Sequence, residues 1–355
     1  MSKRSLLIID KHQFGQLTDT YKWCEYLRDD YDITIVTPRG KSLHCSMDRV
    51  RIVAVSGKNK LAFGIKYMLT CLLELLKTKG VIIVVYFEGC KLFKRLLPYK
   101  KMILDIRTLS VDSKTSVRVK YNEAIKATCL LYDHVTCITK GIASYLGLND
   151  NKVSILPLGS DPLSSKAKSF SELKLLYMGT LTGRNIDQTI IGFNTFMKRH
   201  PEMVLSYDIA GTGWFNEEET LRKLIEDLRC NSTIKVHGRV SEERKEILFN
   251  ECNIGISYVP QTDYYDYQPP TKTFEYILSG MICMATRTQA NCEIINSKNG
   301  LLINDTSEDF CSGLEEIYNE RHGYNSELIK DTLHDYLWSC IVEYRLKPIL
   351  DRFGK

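Results

Sequence analysis

Short, almost unbroken runs of valine, isoleucine and leucine alternate with helix-period segments along this chain, stop, and then alternate again. In the first half the runs fall at 6–9, 33–36, 51–55, 81–86, 102–104, 135–138 and 153–156, with helices expected near 19–28, 61–79, 113–131 and 141–146. A strand apolar on both faces belongs in a parallel sheet covered on both sides, and strands alternating with helices make the βαβ units that build one. Pro157, Gly159 and Pro162, then the polar run 164–172, break the pattern and read as a linker. It restarts with strands expected at 173–178, 204–210, 234–237, 254–258, 282–285 and 300–303. Helices are expected near 186–199, 217–229, 242–250, 271–278, 291–296 and 307–318. The 355 residues suffice for two such α/β domains, each with its own core. Two in tandem enclose a cleft, a favoured place for a ligand. Beyond residue 326 a helical pattern around Leu333, Leu337, Ile341 and Leu346 is expected to pack across the domains.

Composition narrows the function. A net charge of +5 and a sequence pI near 8.5 fall short of a nucleic-acid footprint. None of the twelve cysteines has Cys-x-x-Cys spacing or clusters with histidine, so they read as reduced, mostly buried thiols. The apolar run at 6–9 is too short for a signal-peptide core. The run 61–76, interrupted by Lys66 and Glu74, reads as a buried helix rather than a membrane span. The chain is expected in the cytoplasm.

The stretch 264–285 reads as loop, short helix and buried strand, the loop leaving the carboxyl end of the strand at 254–258. Pro269 and Pro270 set the helix start, and Phe274, Ile277 and Leu278 form its buried face. Gly280 ends it. Ligands of an open α/β sheet bind beyond the carboxyl ends of strands and face helix amino ends. Lys272 and Glu275 sit near such an end, three residues apart and so on one side. A carboxylate there can accept two ribose hydroxyls, and an ammonium beside amide donors suits a diphosphate. A solvated ion pair between the two is the other reading.

Several segments together resemble the large retaining family of GT-B glycosyltransferases, glycosyltransferase group 1 or family four, which includes sucrose-phosphate and glycogen-type relatives. Residues 175–181 (Leu-Leu-Tyr-Met-Gly-Thr-Leu), followed by Arg184, look like its strand and glycine turn. Residues 208–213 (Asp-Ile-Ala-Gly-Thr-Gly) resemble its second glycine turn, and 236–240 (Val-His-Gly-Arg-Val) the loop lining the nucleobase. Residues 270–277 (Pro-Thr-Lys-Thr-Phe-Glu-Tyr-Ile) with Gly280 resemble its donor-binding helix. Phe14-Gly15, the strand at 32–36 and the hinge-like 156–161 extend the resemblance across nearly the whole chain, most closely over 173–303.

The resemblance implies two Rossmann-like domains facing across a cleft: 1–160 for the acceptor, 171–325 for the donor, and 326–355 as helices crossing between them. It implies transfer of a sugar from a nucleotide-diphosphate donor to a glycan or lipid-linked acceptor, with retention and with the leaving phosphate as base. Surface polysaccharide biosynthesis is the expected setting, and no bound metal or cofactor is expected. Charge grows on the leaving oxygens, so positive groups aimed there should dominate catalysis. Arg184, whose planar fork suits phosphate oxygens, and Lys272 are the candidates; a surface arginine at a helix start is the alternative for Arg184. Glu275 would hold the ribose, Gly15 and Gly179 would let backbone approach the donor, and Gly238 and Val240 would contact the base.

Tyr267 stands in the donor loop where the family often has glutamate, with Asp266 one position away as a substitute. Thr180 stands at a usual arginine place. His12, Asp105 and Arg107 are acceptor-side candidates, with a structural ion pair the other reading of the last two. His134 reads as structural. The basic run 91–101 reads as a solvated amphipathic helix or a reversible contact with an anionic membrane at the inner face of the cell. Two rivals remain: a catalytically silent GT-B protein that binds a partner, and a nicotinamide oxidoreductase. Asn216, where a third glycine would stand, disfavours the second.

Overall fold

Among the described residues, thirteen parallel strands form two separate sheets. The computed structural model describes residues 3–40 and 46–354; residues 1–2, 41–45 and 355, which the expected domain ranges include, lie outside the described residues. The chain divides into unit 1, Met1–Gly159 with Trp338–Lys355, and unit 2, Ser160–Leu337.

Unit 1 holds β1 (Arg4–Ile9), β2 (Tyr31–Pro38), β3 (Val50–Val55), β4 (Val81–Val85), β5 (Ile103–Ile106), β6 (His134–Cys137) and β7 (Val153–Ile155), in the spatial order β3-β2-β1-β4-β5-β6-β7. β4 is buried along its whole length, as an apolar strand covered on both faces must be. Unit 2 holds β8 (Leu173–Met178), β9 (Leu205–Ala210), β10 (Ile234–Gly238), β11 (Ile254–Ser257), β12 (Ile282–Thr286) and β13 (Gly300–Ile303), ordered β10-β9-β8-β11-β12-β13. Each strand lies within two residues of its expected place. The helix expected at 291–296 is a single turn, Gln289–Cys292, begun earlier because Thr288 caps it through the Asn291 amide.

Three segments differ from expectation. The helix expected to be buried over 61–76 is Lys60–Lys77, but only Tyr67, Cys71, Glu74 and Leu75 are buried on it. The run 61–76 has more apolar residues than one inward face can hold, and the surplus points outward. The basic run 91–101 forms a helix only over Lys91–Leu96. Its Lys94 is turned inward, donating to the carbonyls of Pro98 and Lys100 and to Asp133 Oδ2 at 2.9 Å, so the run is not a uniformly solvated cationic face. The segment 326–355 is not one block: Ser326–Leu337 belongs to unit 2 and Trp338–Lys355 to unit 1. Trp338 packs so closely on Gly159 that an added Cβ would stand 2.7 Å from its ring.

Eleven cysteines are described, ten of them buried. Among the described residues no helix is long and apolar enough to cross a membrane.

Candidate functional site

Unit 2 gathers its chemistry where β8, β9 and β10 end. Helix Thr271–Leu278 is fixed there by two ties: Tyr276 Oη accepts from the Met178 amide at 2.8 Å, and the Thr273 and Ser257 hydroxyls meet at 2.6 Å. Gly255 lets the helix seat on β11, since a Cβ would meet the Tyr276 ring at 2.1 Å. No side chain caps the helix start. Of its first-turn amides, that of Thr273 donates to the Pro270 carbonyl at 3.0 Å.

Lys272, in that first turn, is buried, and its ammonium rests 3.7 Å from the centre of the Tyr177 ring rather than on a carboxylate. Burial pushes it well below the usual lysine range, and the nearby charge of Arg184 pushes it further. Gly179, with φ at +147°, lies beside it: a Cβ there would stand in ordinary contact with Nζ, at 3.5 Å. Gly211, just after β9, is tighter, because a Cβ would stand 1.7 Å from the Gly179 carbonyl oxygen. The guanidinium of Arg184 stacks over Tyr265 at 4.3 Å, and its Nη1 is buried with no hydrogen-bond partner. Two cations thus stand together on aromatic platforms, one with a buried donor left unsatisfied. Such an arrangement is completed by an anion with several oxygens.

Glu275 does not pair with Lys272; its partner is Lys245, 3.5 Å away. Gly238 ends β10, its carbonyl accepting from the Gly211 amide at 2.8 Å, and Val240 follows, half-buried, before Ser241 caps the next helix. Asp208 on β9 meets His237 on β10 at 2.6 Å. Tyr267 is half-buried in the loop before Pro269. Asp266 is committed elsewhere: its carboxylate accepts from the Gln289 amide at 2.7 Å, which disfavours it as a stand-in for the missing glutamate. Thr180, at the usual arginine place, offers its carbonyl to Tyr177 Oη at 2.5 Å.

The helix after β9, Glu217–Asp227, is occupied at its own amino end. Glu217 Oε2 accepts from the Phe215 amide at 2.6 Å and Glu218 Oε2 from the Gly213 amide at 3.2 Å. A pyrophosphate held there, as a dinucleotide fingerprint requires, would meet carboxylates instead of free amides.

Unit 1 has a cavity of about 340 Å³ at the carboxyl end of its sheet, lined among others by Lys11, His12, Tyr86, Glu88, Arg107 and Tyr121. His12 and Arg107 meet there; Asp105 does not reach it. Asp105 is fully buried and grips Arg107 with both oxygens, at 2.7 and 2.6 Å, while Thr136 donates to it at 2.5 Å. Arg107 also donates to Asp19 at 2.8 Å. Burial opposes its charge, but the two carboxylates outweigh burial and hold it above the usual arginine range. Burial raises Asp19, with Arg107 opposing. His12 Nδ1 lies 2.8 Å from Asp10 Oδ1, and that hydrogen bond raises its pKa against the effect of burial. Gly15 lies in a turn closed by the Gln16 amide on the Gln13 carbonyl, with φ at +84°.

Sequence reasoning missed Asp10, Tyr177 and Tyr265. Asp10 was readable as a carboxylate at a strand's carboxyl end; the two tyrosines had no local signal. Among the described residues no group of three or more His, Cys, Asp or Glu is arranged to hold a metal ion.

Residues 172–320 match the model of a family described as glycosyl transferases group 1. Sucrose-phosphate synthase from Thermosynechococcus elongatus superposes with a TM-score of 0.76 at 13% identity, over 99% of each chain. HepE from Anabaena, solved in complex with UDP, gives 0.74 at 9% identity over 98% of this chain and 100% of that one. The lipopolysaccharide outer core galactosyltransferase WaaB gives 0.73 at 14% over 98% and 99%. At such identities the likeness is one of fold. No curated protein sequence matches the chain.

Proposed function

We propose, for a chain whose residues 172–320 match the model of the glycosyl transferases group 1 and which has the GT-B fold, that it moves a sugar from a nucleoside-diphosphate sugar to a glycan or lipid-linked acceptor. The observation that carries this reading is the buried, unsatisfied Nη1 of Arg184 beside the buried, carboxylate-free Lys272. A diphosphate supplies the missing acceptor oxygens, and its negative charge increases as the bond to the sugar breaks. Both cations then stabilise the transition state more than the ground state, which is what lowers the barrier. Gly179 would admit the phosphates, Glu275 would accept ribose hydroxyls, sharing its carboxylate with Lys245, and Gly238 and Val240 would offer backbone to the base. Tyr267 would border the sugar. Retention follows if the leaving phosphate takes the acceptor proton. Unit 1 would hold the acceptor, its hydroxyl near His12 and Arg107, in the building of a surface polysaccharide. Reversible attachment to an anionic membrane would suit a lipid-linked acceptor.

The test is a thermal-shift panel of UDP, GDP, ADP, their common sugars and NAD(H). A ligand held only by the folded state at about a hundred times its Kd adds about 2.7 kcal/mol. One nucleoside diphosphate is expected to stabilise the protein, and Arg184→Ala or Lys272→Ala to abolish the shift. A shift with NAD(H) alone, or none at all, would overturn the reading. Binding without transfer or donor hydrolysis would leave a silent binder.

A further inference from the structure

Helix Lys60–Lys77 is apolar on two sides. Tyr67, Cys71 and Leu75 face the core of unit 1. Leu61, Ile65, Leu69, Leu73 and Leu76 point outward, between 54% and 75% exposed. At about 100° per residue these five fall within roughly a third of the helix circumference. A single exposed leucine is ordinary; five in one stripe make a patch that marks an interaction surface. The short helix Lys91–Leu96 stands beside it. The Phe87 ring is edge-on to Tyr67 on one helix and Phe93 on the other, and Lys100 Nζ donates to the Thr78 carbonyl at 2.6 Å. That neighbour adds exposed Leu92 and Leu96, with Tyr99 just beyond. At the same 100° per residue, exposed Lys66 and Lys77 border the stripe along one side, and Lys91 and Arg95 are exposed on the short helix. The one acidic residue of the long helix, Glu74, is turned inward and held by Arg51 and Lys77.

We propose that this face docks the protein on an anionic lipid bilayer, with the leucines and isoleucine entering the headgroup boundary and the lysines meeting lipid phosphates. Such a surface complements both parts of the patch, the apolar stripe and its cationic border. A second copy of the chain would not, because a two-fold contact brings the same cations against one another. The helix lies along the surface rather than through it, since its other side is committed to the core. Attachment of this kind is reversible and weakened by salt. The inference does not depend on the donor site, and either can fail alone.

The test is co-sedimentation of the full chain with vesicles of phosphatidylcholine alone or mixed with phosphatidylglycerol. Binding is expected only to the mixed vesicles and is expected to fall with added salt. The variant Ile65→Gln/Leu69→Gln/Leu73→Gln should weaken it by at least about tenfold, and Lys66→Glu/Lys91→Glu by a similar factor. Both should keep the wild-type far-UV circular dichroism and nucleotide response. Equal binding to neutral vesicles, no binding to either, or a triple variant that binds like wild type would overturn the proposal. So would a dimer in solution that the triple variant dissociates, which would make a second copy the occupant.

Discussion

Lys272 sits where burial and charge both oppose its proton. Burial and Arg184 push its pKa down, while Glu275 has turned to Lys245 and gives only a weaker opposing pull. A diphosphate against the ammonium would reverse that balance. Lys272 therefore has a lower pKa in the free protein than in the nucleotide complex, and binding takes up a proton at any pH between the two values. Across that window affinity falls as pH rises, because the free protein holds the proton less well. Calorimetry of the nucleoside diphosphate in buffers of differing ionisation enthalpy should show net uptake, and Lys272→Met should remove both the uptake and the pH dependence. Uptake unchanged in Lys272→Met would assign the proton elsewhere. The spacing of Lys272 and Glu275 was legible in sequence because a three-residue interval is a property of the helix itself. Tyr177 and Tyr265, which hold the two cations, come from a strand and a loop far away in sequence, and no local pattern announces such contacts.

At the level of elements, strands were easier to read than helices. A strand buried on both faces needs a continuous apolar run, and β4 and β12 have one. A helix needs only part of its circumference apolar, so Lys60–Lys77, apolar on two sides, read as buried when its excess faces solvent. His134 on β6 shows an element imposing a charge state. Its Nε2 meets Ser154 Oγ on β7 at 2.9 Å, and its ring packs 5.0 Å from Phe353. Burial, with the Arg352 charge nearby, pushes its pKa from the usual 6.5 down to about 4. The unfolded chain binds that proton near the usual value and the folded one refuses it until about 4, so stability falls as pH drops through this window. His12 acts in the opposite sense: its raised pKa adds stability at low pH that is lost as pH rises through its folded value. Urea midpoints at about pH 7 and about pH 5 separate the two. The drop between them is expected to shrink in His134→Gln, and an equal drop in both proteins would exonerate His134.

At the scale of the whole molecule, the chain leaves unit 1, builds unit 2 and returns, and sequence gave no warning of where the return begins. Leu333 and Leu337 continue the same apolar spacing as Ile341 and Leu346, yet the first pair belongs to unit 2 and the second to unit 1. The returning segment is part of the unit 1 core. Trp338, Ile341, Val342, Leu346 and Leu350 are buried, and the segment packs on helix Thr18–Leu27. Lys347 reaches Asp30 at 2.7 Å and Asp351 reaches Arg4 at 2.5 Å, but exposed pairs of this kind add little beside the apolar burial. Burying five such side chains is worth roughly 8–15 kcal/mol, an upper estimate. That is comparable to the about 5–15 kcal/mol by which a whole domain is stable. A chain ending at Leu337 should therefore lose the folded state of unit 1 and keep that of unit 2. In a thermal melt with limited proteolysis, residues 3–159 should become protease-sensitive while a fragment spanning 160–337 survives and still responds to the nucleoside diphosphate. Protection of both units in the truncated chain would show that Trp338–Lys355 covers a core that stands without it.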